Sequence, residues 1–213
     1  MKKTILVISV ALMIAAGVFA WNQVSSSEEK QDYSLEEVES IVVNTDEWDV
    51  NIRQNNSRQI KISAENLNHG DGAKAKLIDG VLTIEQGEAK SDLFGGFSFK
   101  DNSKLEIELP ADYAKKTQVN TESGDVTLNE VKLDNFSVKS ITGDIYLNQV
   151  TANKSAKIQT TKGDIDLSFE TEPTNLHINT SAKAIDSESA TSEYGKGEHR
   201  LDLACPQGTL SRY

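Results

Sequence analysis

One sentence pattern is repeated three times between Val119 and Leu167: an apolar residue, any residue, Thr or Ser, two more, then Gly-Asp, Val or Ile, any residue, Leu. The copies centre on Gly124, Gly143 and Gly163, spaced 19 and 20 residues apart. A fixed period near twenty identifies a stacked repeat before anything else. Within one copy, Val138 and Ser140 share a strand face, Gly143-Asp144 punctuates, and Ile145 and Leu147 restart the alternation on a second short strand. Glycine is expected at this turn for its freedom to take positive φ, and aspartate because its carboxylate bonds nearby backbone N–H groups. Neither half-strand builds a core alone, so successive laps are expected to stack as parallel strands about 4.8 Å apart. Like then falls on like. Val119, Val138 and Ile158 form one column; Thr121, Ser140 and Thr160 a second; Phe136, Ala156 and Leu176 a third wall.

The pattern extends both ways. Ile178-Asn-Thr180 continues it twenty residues on, with Lys183-Ala184 in place of Gly-Asp, and an insertion spans residues 186–199. Leu203 to Leu210, with Gly208 at the turn, is a last copy, and Val43 to Ile52 is an early one with Trp48 at the glycine position. No amphipathic helix of 10–15 residues separates the strands, which excludes a βαβ organisation. An all-β solenoid of about 20-residue coils over residues 41–213 follows. Asp79-Gly80 between two apolar pairs predicts a hairpin, and Leu105 to Pro110 a strand that stops at proline.

Residues 5–21 are an uncharged run behind Lys2 and Lys3. A helix of that length covers about 26 Å, just short of a bilayer core. Two readings compete: an anchor with Trp21 at the interface, or a signal peptide cleaved near Ala20. Either places the rest of the chain outside the cytoplasm. Residues 1–21 are thus an anchor or signal, 22–40 a polar flexible stalk, and 41–213 the extracytoplasmic domain.

With 22 basic and 33 acidic residues, the net charge of −11 argues against nucleic acid and against an anionic lipid surface. The lone Cys205 excludes an intramolecular disulfide and reads as a small inward residue. His69, His177 and His199 stand at no ligand or triad spacing, and no nucleophile elbow, P-loop or dinucleotide fingerprint is present. The expectation is therefore a non-enzymatic protein without a cofactor. Asp125, Asp144 and Asp164 form an acid column in which each neighbouring pair repels by roughly 0.9 kcal/mol even in water. Turn N–H bonds and Lys139 and Lys162 are one offset; a calcium ion is the other, which makes these three aspartates weak calcium candidates. Phe94, Phe97 and Phe99, on a loop hinged by Gly95 and Gly96, either plug the end of the stack or contact a partner.

The recurrent T-x-x-G-D-[IV]-x-L coils, the early T-D-x-W-D-V-x-I copy, the D-G-x-L-x-I element and the L-x-I-x-L-P strand resemble the "putative adhesin" family of bacterial surface proteins, a domain of unknown function. The single N-terminal anchor and small size are similar to LiaG-type members from Gram-positive bacteria. The resemblance implies a right-handed parallel β-helix-like domain outside the membrane, binding wall polymer or a membrane or surface protein, and for LiaG-type members a link to the cell-envelope stress response. Lys183-Ala184 and the 186–199 insertion depart from the family pattern.

Overall fold

A computed structural model describes residues 29–65, 72–87, 103–187 and 192–213. The predicted anchor, His69 and the Phe94, Phe97 and Phe99 loop lie outside these residues. The described chain is all-β: β1 Glu29–Ser34, β2 Ser40–Thr45, β3 Asp49–Asn55, β4 Gln59–Glu65, β5 Lys74–Ile78, β6 Val81–Glu85, β7 Lys104–Pro110, β8 Lys116–Thr121, β9 Val126–Asn129, β10 Phe136–Ser140, β11 Ile145–Val150, β12 Ala156–Thr160, β13 Ile165–Phe169, β14 Leu176–Ser187, β15 Glu193–Tyr194 and β16 His199–Arg212.

The laps are wound as the repeat demands. On one sheet β6, β2, β8, β10 and β12 pair in parallel; on the other β7, β3, β9, β11 and β13 do so. The register keeps like on like: Val43, Val119, Val138 and Ile158 lie side by side, as do Val50, Val126, Ile145 and Ile165. Alternation places these side chains inside, where all are 1 % exposed or less. Each such aliphatic residue contributes roughly 1.5–3 kcal/mol on burial. The predicted Asp79-Gly80 hairpin is present, with positive φ at both residues (49° and 77°) and β5 antiparallel to β6.

Four expectations are corrected. First, the stalk ends earlier. β1 pairs antiparallel with β4, and Leu35 and Val38 are buried, so residues 29–40 belong to the folded domain. Second, spatial order departs from chain order. β16 lies between β12/β13 and β14, with Ile158 beside Leu203 and Ile165 beside Leu210, and β14 packs on its far side. The third wall therefore runs Phe136, Ala156, Leu201, Ile178, while Leu176 pairs with His199. Composition explains the exchange. The inner slot is covered on both sides, and Leu201, Leu203, Cys205 and Leu210 fill it at 2 % exposure or less, whereas the outer strand carries Thr180, Ala182 and an Ile185 that is 57 % exposed. Third, the insertion that departs from the family pattern contributes a strand of its own. β15 folds back on Leu176 and His177, and Tyr194 packs edge-on against Phe169 and accepts a 2.9 Å bond from the buried Arg212 guanidinium.

Fourth, the repeat glycines do not sit at positive φ; among the described glycines only Gly80, Gly195 and Gly197 do. The constraint is close approach. A Cβ on Gly124 would stand 2.0 Å from the Trp48 carbonyl oxygen; on Gly143, 2.1 Å from that of Gly124; on Gly163, 2.2 Å from that of Gly143; on Gly208, 2.0 Å from that of Gly163. Backbone fills the space a side chain would need. β14 has no glycine there and crosses the corner through a register shift between Ala182 and Ala184. Gly143→Ala should accordingly cost roughly 3 kcal/mol or more, because the Gly124 carbonyl of the preceding lap must move. Ser137→Ala on the outer face should stay within about 0.5 kcal/mol. Urea unfolding of the two variants checks the contrast.

Candidate functional site

The corner of each coil assembles from the T-x-x-G-D motif. The inward hydroxyl accepts the glycine N–H three residues on: Gly124 to Thr121 at 3.1 Å, Gly143 to Ser140 at 2.9 Å, Gly163 to Thr160 at 3.1 Å. The aspartate reaches the next lap instead. Asp49 Oδ1 accepts the Asp125 N–H (2.9 Å), Asp125 Oδ1 that of Asp144 (2.8 Å), Asp144 Oδ1 that of Asp164 (2.7 Å), and Asp164 Oδ1 that of Thr209 (2.7 Å). Trp48 heads the glycine column, and Gln86 Oε1 receives the N–H groups of Asp46, Glu47 and Trp48.

The predicted calcium candidates Asp125, Asp144 and Asp164 are thus brought together in one file, each with an oxygen committed to a backbone N–H. Such charge-assisted bonds are about twice as strong as neutral ones and offset the mutual repulsion of the acids. No ion pair links Lys139 or Lys162 to the file among the described residues. No group of three metal-ligating side chains occurs among the described residues. Burial, with Asp49 and Asp144 adding repulsion, pushes the Asp125 carboxyl above its usual range against the pull of the Asp144 N–H. Cys205 faces inward as expected, and burial raises its thiol.

Outside the corner the two sheets present different surfaces. The outward side of the β7/β3/β9/β11 sheet carries a side-chain ladder: Asn51 donates to Glu106 (2.9 Å), Asn129 to Asn51 (2.9 Å) and Asn148 to Asn129 (2.9 Å). Beside it Glu108 bridges Arg53 at 2.5 Å and Lys61 at 3.9 Å, and Asp32 lies opposite Lys61. Both charges are paired along this end.

The β8/β10/β12 sheet faces out through Gln118, Asn120, Ser137 and Gln159, with exposed Lys116, Lys139 and Lys157 on three successive laps. Among the described residues no carboxylate lies in ion-pair range of these three lysines. Arg200, on the next lap, pairs with Asp202 at 3.4 Å. A shallow groove of about 410 Å³ opens between Lys116 and Lys157, floored by Phe136 and Ala156 and edged by Asn135, Ser155 and Asp202. Sequence reasoning missed this face because whole-chain charge was read in place of the outward alternate positions, where the lysines stand.

The corner predicts a sign for acid dependence. With its folded carboxyl raised, Asp125 binds a proton more tightly folded than unfolded, so it lowers stability as pH rises from about 4 through its folded value. Asp125→Asn keeps the acceptor and removes the charge, so its stability relative to wild type should rise between about pH 4 and 7. Asp125→Ala leaves the Asp144 N–H without its acceptor and should cost about 1–3 kcal/mol at pH 7. Melting curves of both variants against pH separate the two effects.

Comparison with known proteins gives a family. A crystallised "putative cell adhesion protein" from Clostridium sporogenes is similar at 15 % identity over 87 % of this chain and 98 % of that chain, with a TM-score of 0.53. Also similar are a "putative adhesin" from Bacteroides fragilis (14 % identity, 89 % and 98 % covered, TM-score 0.36) and a "putative lipid binding protein" from Parabacteroides distasonis (11 %, 89 % and 98 %, TM-score 0.33). No curated protein matches the chain. The first of these shares the fold, and the Toastrack DUF4097 model matches residues 38–200. The chain belongs to the Toastrack DUF4097 family.

Proposed function

We propose that the protein is a non-enzymatic scaffold of the cell envelope, held outside the membrane by residues 5–21 and binding wall polymer or a surface protein. One observation carries this reading: the outward positions of successive laps form flat, continuous polar rows, while the apolar positions are spent on the core. Such a surface repeats recognition groups at the lap spacing, about 4.8 Å, and suits an extended ligand lying across the coils. The similar protein described as a cell adhesion protein is in keeping with that role.

The early start of the domain favours a second reading, an accessory of an envelope-stress response acting through a membrane partner. With β1 beginning at Glu29, only residues 22–28 separate the apolar run from the fold. Seven residues span at most about 25 Å, which keeps the domain within reach of another membrane protein.

Full-length protein in detergent, incubated with purified wall and membrane fractions of its own cells, should be retained by one of them. Retention by wall supports the scaffold, retention by membrane protein supports the accessory role, and recovery with neither contradicts both.

A further inference from the structure

We infer that the outer face of the β8/β10/β12 sheet is a docking surface for a linear polyanion, a polymer carrying repeated phosphate groups. The inference rests on the scaffold reading and names its ligand class. The argument is one of charge distribution. The whole chain carries −11, yet β5, β6, β8, β10, β12 and the first half of β16 bear six cations, Lys74, Lys76, Lys116, Lys139, Lys157 and Arg200, against two carboxylates, Glu85 and Asp202. The excess acid is gathered elsewhere, at the aspartate corner and on the opposite sheet.

Register sets the geometry. Lys139 lies opposite Gln159 and Asn120, and Lys157 opposite Ser137 and Asp202, so Lys116 stands at one end of the strip, Lys139 at the other, and Lys157 in the column between them. Lys116, Lys139 and Lys157 supply one cation per lap; the laps are about 4.8 Å apart, and offsets of four and then two residues along the strands add roughly 13 Å and 7 Å between successive lysines. All three are exposed, and among the described residues none forms an ion pair, although Asp202 stands opposite Lys157 on the adjacent strand. An isolated surface lysine is ordinary. Three exposed lysines on successive laps, beside the amide and hydroxyl groups of Gln118, Asn120, Gln159 and Ser137, offer both charge and hydrogen bonds to phosphate oxygens. The shallow, open groove between Lys116 and Lys157, with Asn135, Ser155 and Asp202 along it, leaves room for one phosphate-bearing unit beside the two lysines. Binding there releases counterions from the polymer, so affinity falls steeply with salt. The acidic remainder of the molecule repels the same polymer and confines it to this face.

Long-chain polyphosphate is the probe, titrated against full-length protein in detergent at two salt concentrations. Binding is expected, weakening as salt rises. The triple variant Lys116→Gln, Lys139→Gln, Lys157→Gln should lose at least about tenfold in affinity and show a shallower salt dependence. The control triple Lys61→Gln, Lys104→Gln, Lys183→Gln removes the same charge away from this face, at the opposite sheet and the β14 corner, and should bind within about twofold of wild type. No binding by wild type, or equal loss in both triples, overturns the inference. Vesicles containing anionic lipid form a separate arm; binding to these in place of polyphosphate overturns the polymer assignment. Retention of wild type and the lysine triple alike by cell wall would leave the scaffold reading standing and the docking face refuted. All variants must melt as wild type does, which exposed lysine-to-glutamine changes allow.

Discussion

The structure depends on how closely two peptide planes approach at one corner of each coil. Where Gly124, Gly143, Gly163 and Gly208 stack, the preceding lap's carbonyl oxygen occupies the place a Cβ would take, 2.0–2.2 Å from its ideal position. The approach lets a one-carbon arm, the aspartate side chain, bridge from each lap to the next N–H at 2.7–2.9 Å. Glycine and aspartate are therefore one device: the first removes bulk so that the second can reach. The hydroxyl column beneath them accepts the N–H groups of Gly124, Gly143 and Gly163.

Once the corner fixes the rise and register, the remaining contacts follow. Aliphatic residues land on aliphatic residues in both sheets, and the outward positions are left to polar side chains. A scaffold of this kind separates stability from recognition. The core and corner hold the shape, and the outer rows can vary in charge without disturbing it, which is how one sheet comes to carry the exposed Lys116, Lys139 and Lys157 while the other carries a paired network around Glu108.

Much of this was legible in the chain. The period, the columns through Val119, Val138 and Ile158, the hairpin at Asp79-Gly80, the inward Cys205 and Trp48 at the head of the glycine column all follow from spacing and alternation. Three things did not. The reason for the glycines was misread, because a turn glycine and a close-approach glycine look alike until the neighbouring lap is placed. The position of β16 was hidden because β14 keeps the 20-residue spacing, whereas β16, 45 residues beyond Ile158 at Leu203, wins the inner slot by its more apolar side chains and its glycine. The basic face was masked by a net charge that sums over surfaces pointing in different directions.

The order of the last three laps is the most exposed part of the account, since it joins the corner chemistry to the winding. Gln159 lies beside Ala204, which sets Thr160 next to Cys205 inside the stack, and Ala182 lies on the other side of Cys205. Neighbouring parallel strands bring their Cα atoms within the span a disulfide bridges. Mild oxidation of Thr160→Cys should therefore join the new thiol to native Cys205 within one chain, read by mass spectrometry of the peptide pair. A Thr160→Cys protein that folds but keeps both thiols free, while Ala182→Cys cross-links readily, would place β14 against β12 and contradict the structure described above.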